Sequence, residues 1–212
     1  MAIIGANAKV EVQQTLGSDL TVTAVTQASP PVATSTAHGL ANGDIVLFSV
    51  AGGMVELDGQ AVRVANVAAN TFELEGMDAT DFSAWTSGTA AEVTAFQTLS
   101  SAQNVTMPNP APAKIDITTL IDKAKQYAYG LPDAPDGSIT GLFNPGGTAE
   151  NLIFAATAAN STLVFRMTFA GGQKTVFNAN VSGGQGFDLQ VNAAATATIV
   201  FTPVKQVRHY AT

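Results

Sequence analysis

The chain has 212 residues and a formal net charge of −7, with 46% hydrophobic but only 12% charged residues. It contains no cysteine, which excludes disulfides and thiolate metal sites. Its acidity argues against holding nucleic-acid phosphates by charge, and no stretch approaches the roughly eighteen apolar residues of a membrane-spanning helix.

The N-terminus, MAIIGANAKV, has no basic region and no long apolar core, so no signal peptide is expected and synthesis in a cytoplasm is. Val10 and Val12 alternate with Lys9, Glu11 and Gln13, the period of a half-buried strand. Residues 30–93 stand apart. Their turns fall at Gly39, Gly43, Gly52-Gly53, Gly59 and Asn70, with short strands between, such as Phe72 and Leu74 alternating with Glu73 and Glu75. The segment from 26 to 95 holds eight acids and one basic residue, Arg63, so it carries the whole charge imbalance. We read 30–93 as a small β module inserted at a hairpin tip, the flanks LTVTAVTQ and AEVTAFQTLS being neighbouring strands of the other domain.

Further on, QNVTMPNPAPAK holds three prolines and reads as an extended loop rather than a central strand. Residues 115–145, IDITTLIDKAKQYAYGLPDAPDGSITGLFNP, mix strand-favouring Ile and Thr with Lys and Ala, break at Gly130 and Pro132, then resume as a short apolar strand. In GGTAENLIFAATAAN, Thr148 as N-cap and Glu150 in the first turn predict a helix of about three turns, packing Leu152, Ala155, Ala156 and Ala159 on the sheet. Leu163, Phe165, Met167 and Phe169 share one strand face, opposite Thr162, Val164, Arg166 and Thr168. Phe187, Leu189 and Val191 face away from Asp188, Gln190 and Asn192, and Ala197, Ile199 and Phe201 close the series, with turns at Gly171-Gly172 and Gly183-Gly184. The class is all-β, a sandwich or barrel with one helix.

Residues that could carry chemistry are few. His38 before Gly39 reads as a turn residue bonding nearby backbone, and His209 has no suitably spaced carboxylate. Glu73, Glu75, Asp78 and Asp81 lack the alternation and central glycine of a calcium loop. SGGQGFD falls short of a dinucleotide loop, and no G-x-S-x-G or P-loop occurs. Trp85 in SAWTSG suits packing within a small module better than a carbohydrate platform. No enzyme, cofactor or metal site is expected.

Residues 115–145 carry a resemblance. Asp116, Thr118, Thr119, Asp122, Lys125, Gly130, Leu131 and Asp133, followed by GLFNP at 141–145, resemble a signature of the major tail tube proteins of long, flexible-tailed bacteriophages. TLVFRMTFAGGQKTVFNANVSG, with Arg166 and Gly171-Gly172, is similar to that family's paired strands. The resemblance covers residues 1–29 and 94–212. The late segment SGGQGFDLQVNAAATATIVFTPV departs from it, being shorter and less charged than the family's late loop. Residues 32–89 resemble a small β module of phage tail and bacterial proteins, through Ala37-His38-Gly39-Leu40, Gly43-Asp44, Met54, Leu57-Asp58-Gly59, Thr71 to Leu74, Asp78 and Thr86 to Gly88.

The resemblance implies a tail-tube β-sandwich or barrel with one flanking helix, interrupted by the inserted module on the exterior. It implies six copies closing a ring, rings stacking into a hollow tube for DNA ejection, and a place in the virion tail. Implied partners are further copies of the chain, a tape measure protein, a tail terminator and distal tail or baseplate proteins. DNA would pass through a neutral or acidic lumen without specific binding. On this reading Asp116, Asp122, Lys123, Lys125, Tyr127, Tyr129 and Arg166 are inter-subunit contacts, the four charges of residues 116–125 pairing between copies. Residues 97–114 and the terminal arms are candidates for ring-to-ring contacts. Two alternatives stand beside it: a glycan- or receptor-binding module of a phage fibre or baseplate, and a tube protein of type VI secretion, which normally lacks such an insertion.

Overall fold

The computed structural model describes residues 7–107, 112–132 and 136–212. In chain order its elements are β1 (Lys9–Val22), β2 (Ala24–Val25), β3 (Val32–Thr34), β4 (Ile45–Gly52), β5 (Ala61–Ala65), β6 (Thr71–Leu74) and β7 (Ser87–Thr98). There follow β8 (Ala102–Thr106), β9 (Pro112–Asp116), β10 (Tyr127–Pro132), β11 (Gly137–Leu142), α1 (Thr148–Ala159), β12 (Thr162–Thr168), β13 (Lys174–Asp188), β14 (Thr196–Pro203) and β15 (Arg208–Tyr210). All but β9 and β10 belong to one antiparallel sheet ordered β2-β3-β6-β5-β4-β7-β1-β12-β13-β14-β11-β8, with β15 paired to β13. The fold is thus all-β, a curled half-barrel sheet with, among the described residues, a single flanking helix.

The long strands β1 and β7 hold the two ends of this sheet together. The first residues of β1 pair with β12, Val10 opposite Met167 and Val12 opposite Phe165. On its other edge β1 runs antiparallel to β7 from Glu11 onward, Glu11 opposite Thr98, Leu20 opposite Ala90 and Val22 opposite Gly88, with register shifts between Gln13 and Asp19. The segment between them adds β2 to β6 around its own buried cluster, which includes Phe48, Met54, Leu57, Phe72 and Leu74.

A second cluster lies between α1 and the β12–β13–β14 sheet, centred on Phe165, Phe177 and Phe201, whose rings pack at 5.2–5.9 Å between centroids. Removing any one of these rings would cost about 3–5 kcal/mol in lost transfer energy and cavity. A third, smaller cluster joins the two ends: Ile45, Ala61 and Val93 meet Val164, Val176 and Tyr210. Leu163, Phe165 and Met167 share the α1-facing side of β12 as expected, and Val164, on the opposite face, is fully buried as well. The strands β4 and β5 cover that second face, which alternation within β12 alone does not reveal.

Five local expectations are corrected. The helix starts one residue earlier than read: Gly147 is its N-cap and Thr148 its first residue, without a side-chain cap. A Cβ at position 147 would stand in the carboxylate of Glu150, which folds back over the glycine and accepts a hydrogen bond from Ser101 Oγ. The buried stripe is Ala149, Glu150, Ile153 and Ala156, so of the four residues expected inside only Ala156 is buried. An Ala-rich helix has so little apolar contrast that Ile153 and a tertiary partner, Ser101, decide its rotation.

Gly183-Gly184 is not a turn. β13 continues through it to Asp188, and the pairing with β14 shifts register between Gly183 and Phe187, a bulge accommodated by glycine. Phe187, Leu189 and Val191 do not form one buried strand face. β13 ends at Asp188, all three side chains are exposed, and Phe187 stacks on Phe143 at 4.5 Å. The proline-rich segment, read as loop, contributes most of β8 and the start of β9. β8 is an edge strand paired with β11, where proline nearby is tolerated.

Candidate functional site

β9 and β10 form a two-stranded hairpin separate from the large sheet. Tyr127 lies opposite Asp116, Ala128 opposite Ile115, and Tyr129 opposite Lys114. Directly opposed residues share a face, so one side of the ribbon carries Lys114, Asp116, Tyr127 and Tyr129 and the other Ile115 and Ala128. Every residue of β9 is exposed. Ile115, Ile117, Tyr127 and Tyr129 are each about half exposed, and Leu120 and Ile121, in the loop that joins the strands, are almost wholly so at 107% and 90%.

Local hydrogen bonds shape that loop. Thr118 donates to Asp116 Oδ1 from its backbone N–H at 2.9 Å and from its hydroxyl, while Gln126 N–H donates to Thr118 Oγ1 at 2.9 Å. Ile117 N–H donates to the Gln126 carbonyl at 3.0 Å, closing the loop's base. At the tip, Thr119 donates to Asp122 Oδ2 from its N–H at 2.7 Å and its hydroxyl at 2.8 Å, and Asp122 N–H returns to the Thr119 carbonyl at 3.1 Å. Leu120 and Ile121 are the two central residues of this turn. The donors lower the pKa of both carboxylates, mainly the Thr118 hydroxyl for Asp116 and the Thr119 N–H for Asp122.

The structure therefore brings six of the seven residues singled out above onto one hairpin. Asp116, Tyr127 and Tyr129 share a face, and Asp122, Lys123 and Lys125 lie in its loop. Arg166 lies elsewhere, on β12. Its Nε donates to Glu11 at 2.7 Å and its guanidinium covers the Phe96 ring at 4.0 Å, both within the chain. Asp133, residues 1–6 and residues 108–111 lie outside the described residues. Sequence reasoning missed Leu120 and Ile121. Two consecutive large aliphatics between Thr119 and Asp122, in a loop with no hydrophobic periodicity, were the available signal.

Of the residues that could carry chemistry, His38 and Trp85 are packed within the chain and Glu75 is ion-paired. His38 is buried: Nδ1 accepts from Leu40 N–H at 3.1 Å and Nε2 donates to the Ala68 carbonyl at 2.9 Å, which fixes the tautomer, and Phe72 meets the ring edge-on at 5.1 Å. Trp85 donates its indole N–H to the Val22 carbonyl at 3.2 Å and packs against Phe48. Glu75 makes a two-pronged ion pair with Arg63. Among the described residues no group of three or more His, Asp or Glu side chains is placed to hold a metal ion, and no helix is long and apolar enough to cross a membrane.

No curated protein matches the chain. The family model described as "Phage tail tube protein, TTP" matches residues 52–212. The matched span begins at the last residue of β4 and runs through the hairpin, α1 and the three stacked phenylalanine strands to β15. The chain belongs to the phage tail tube protein family.

Proposed function

We propose that this chain is a structural virion protein that polymerises as stacked hexameric rings into a hollow tail tube, the conduit for DNA ejection. The observation that carries the reading is the β9–β10 hairpin. It stands off the large sheet and displays Ile115, Ile117, Leu120, Ile121, Tyr127 and Tyr129 to solvent. Large apolar side chains exposed together on one hairpin suit an interaction site, and family membership makes another copy its natural partner.

In this reading residues 115–145 are interface, with Tyr127, Tyr129 and Asp116 on one face of the ribbon and Asp122, Lys123 and Lys125 around its loop. Arg166, paired with Glu11, holds β1 to β12. Residues 30–93 are the inserted module on the tube exterior, where their negative charge stays away from the lumen. Tape measure, terminator and distal tail or baseplate proteins are the further partners. The test is negative-stain electron microscopy of the purified protein at high concentration, with light scattering alongside. Hollow tubes or six-fold rings are expected, and a stable trimer without rings refutes the reading.

A further inference from the structure

An open apolar groove lies where the start of β1, the strand β8, the β12–β13 turn and β15 converge. It has two lobes of about 370 and 480 Å³ that share Val105, Met167 and Phe169. Leu99 and Met107 extend its apolar lining. A dry cavity of about 150 Å³ already accepts a benzene ring, so either lobe has room for two branched aliphatic side chains. The ionisable groups among the lining residues, Tyr210 aside, are Lys9, Lys174 and His209, with no carboxylate.

The same chain presents an apolar pair with nothing over it. Leu120 and Ile121 are held at the centre of a turn by the Thr119–Asp122 hydrogen bonds. They do not fold back into their own groove. β9 begins only five residues after Met107, a groove residue, and its own five residues rise about 3.3 Å each, so the turn stands roughly 17 Å beyond the hairpin's start. A tip and a groove on different parts of one molecule make a heterologous contact, the kind that propagates into rings or stacks.

We propose that Leu120 and Ile121 of one copy seat in the Val105–Met167–Phe169 groove of the next copy, an inference that rests on the self-assembly reading above. The charges suit this pairing. Asp122 adjoins Ile121 in the turn and meets a rim bearing Lys9 and Lys174, while Lys123 and Lys125 lie on the leg returning to β10. Asp116 and Asp122 are then positioning residues: they shape the turn that presents the apolar pair.

The absence of cysteine allows a direct test. Ile121→Cys and Val105→Cys are purified separately, mixed at assembling concentration and oxidised. The mixture is expected to give disulfide-linked dimer at five-fold or more the yield of either variant alone. It should also exceed Ile121→Cys mixed with Thr80→Cys, an exposed position outside the groove, by a similar factor. Assembled material in which the two mixtures cross-link equally overturns the groove assignment and leaves self-assembly standing. Unmodified protein that stays monomeric at every concentration overturns both. As a second arm, Leu120→Ser/Ile121→Ser should keep the wild-type melting temperature and raise the critical concentration for assembly at least tenfold. Assembly at the wild-type concentration would overturn the proposal.

Discussion

Tyr210 offers the sharpest test of how the two ends of the sheet are joined. Only 4% of it is exposed, in the small cluster with Ile45, Ala61, Val93, Val164 and Val176. Its Oη accepts the backbone N–H of Arg63 at 2.9 Å, and the Arg63 guanidinium lies 4.7 Å from its ring centre while pairing with Glu75. Tyr210→Phe keeps the ring and its packing but leaves the Arg63 N–H without an acceptor. An orphaned buried donor costs about 1–3 kcal/mol. In a chain of this size that lowers the melting temperature by about 2–12 °C. Urea denaturation followed by Trp85 fluorescence and circular dichroism should show a lower midpoint at unchanged slope.

A second readout is independent of that magnitude. Burial, the largest cause, raises the Tyr210 phenol above its ordinary value of about 10. The unfolded chain therefore gives up this proton first as pH rises. The stabilisation is fully present below about pH 10 and declines above it until the folded-state value is passed. Tyr210→Phe lacks the group and should lose less stability than wild type between pH 9 and 11. A variant within about 0.5 kcal/mol of wild type at pH 7, with the same alkaline decline, would refute the role given to Tyr210.

Other expectations follow from the same geometry. His38→Ala strands the Leu40 N–H and the Ala68 carbonyl, so it should destabilise by about 1–3 kcal/mol in a denaturant titration. Ile153→Ala, at a fully buried site, should cost about 2–5 kcal/mol, while Ala155→Ser on the exposed face should stay within about 0.5 kcal/mol. That contrast checks the rotation of α1. The lowered pKa values of Asp116 and Asp122 mean that their support for the hairpin loop is present above the ordinary aspartate range and is lost as pH falls below it. Protection of the Thr118, Thr119 and Gln126 amides, taken relative to their intrinsic exchange rates at each pH, should fall on acidification. Asp116→Asn/Asp122→Asn should abolish the pH dependence of that protection.

Class and most strand positions were legible because alternation is a one-dimensional signal. Val10 with Val12, and Leu163 with Phe165 and Met167, announce a buried face without reference to anything distant. Val164 was not legible, because its burial depends on Ile45 and Ala61, more than a hundred residues away in the chain. The helix was evident from composition, yet its facing was not, since alanines dominate every side. At Gly183-Gly184 a glycine pair suits a turn and a bulge equally, and only the continued pairing of β13 with β14 selects the bulge. The hairpin could be located because its composition fits neither core nor solvent. Asp116 and Asp122, however, were expected to form ion pairs between copies. The spacings Asp-x-Thr and Thr-x-x-Asp are also those of side-chain-capped turns, and the structure uses one oxygen of each carboxylate in that way.

The pairing of β1 on both of its edges imposes an order on synthesis. Glu11 and its partner Arg166 are 155 residues apart, so at about 5–20 residues per second the ribosome needs roughly 8–30 s to deliver the second after the first. The β2–β6 segment and β7 are complete well before then, and β1 from Glu11 to Val22 can already zip onto β7. Val10 and Val12 meanwhile have no apolar sheet to lie on. A nascent chain therefore presents a finished small β unit trailing a sticky N-terminal ribbon, and for those seconds the ribbon's open edge is a target for chaperones and for neighbouring chains on the same message.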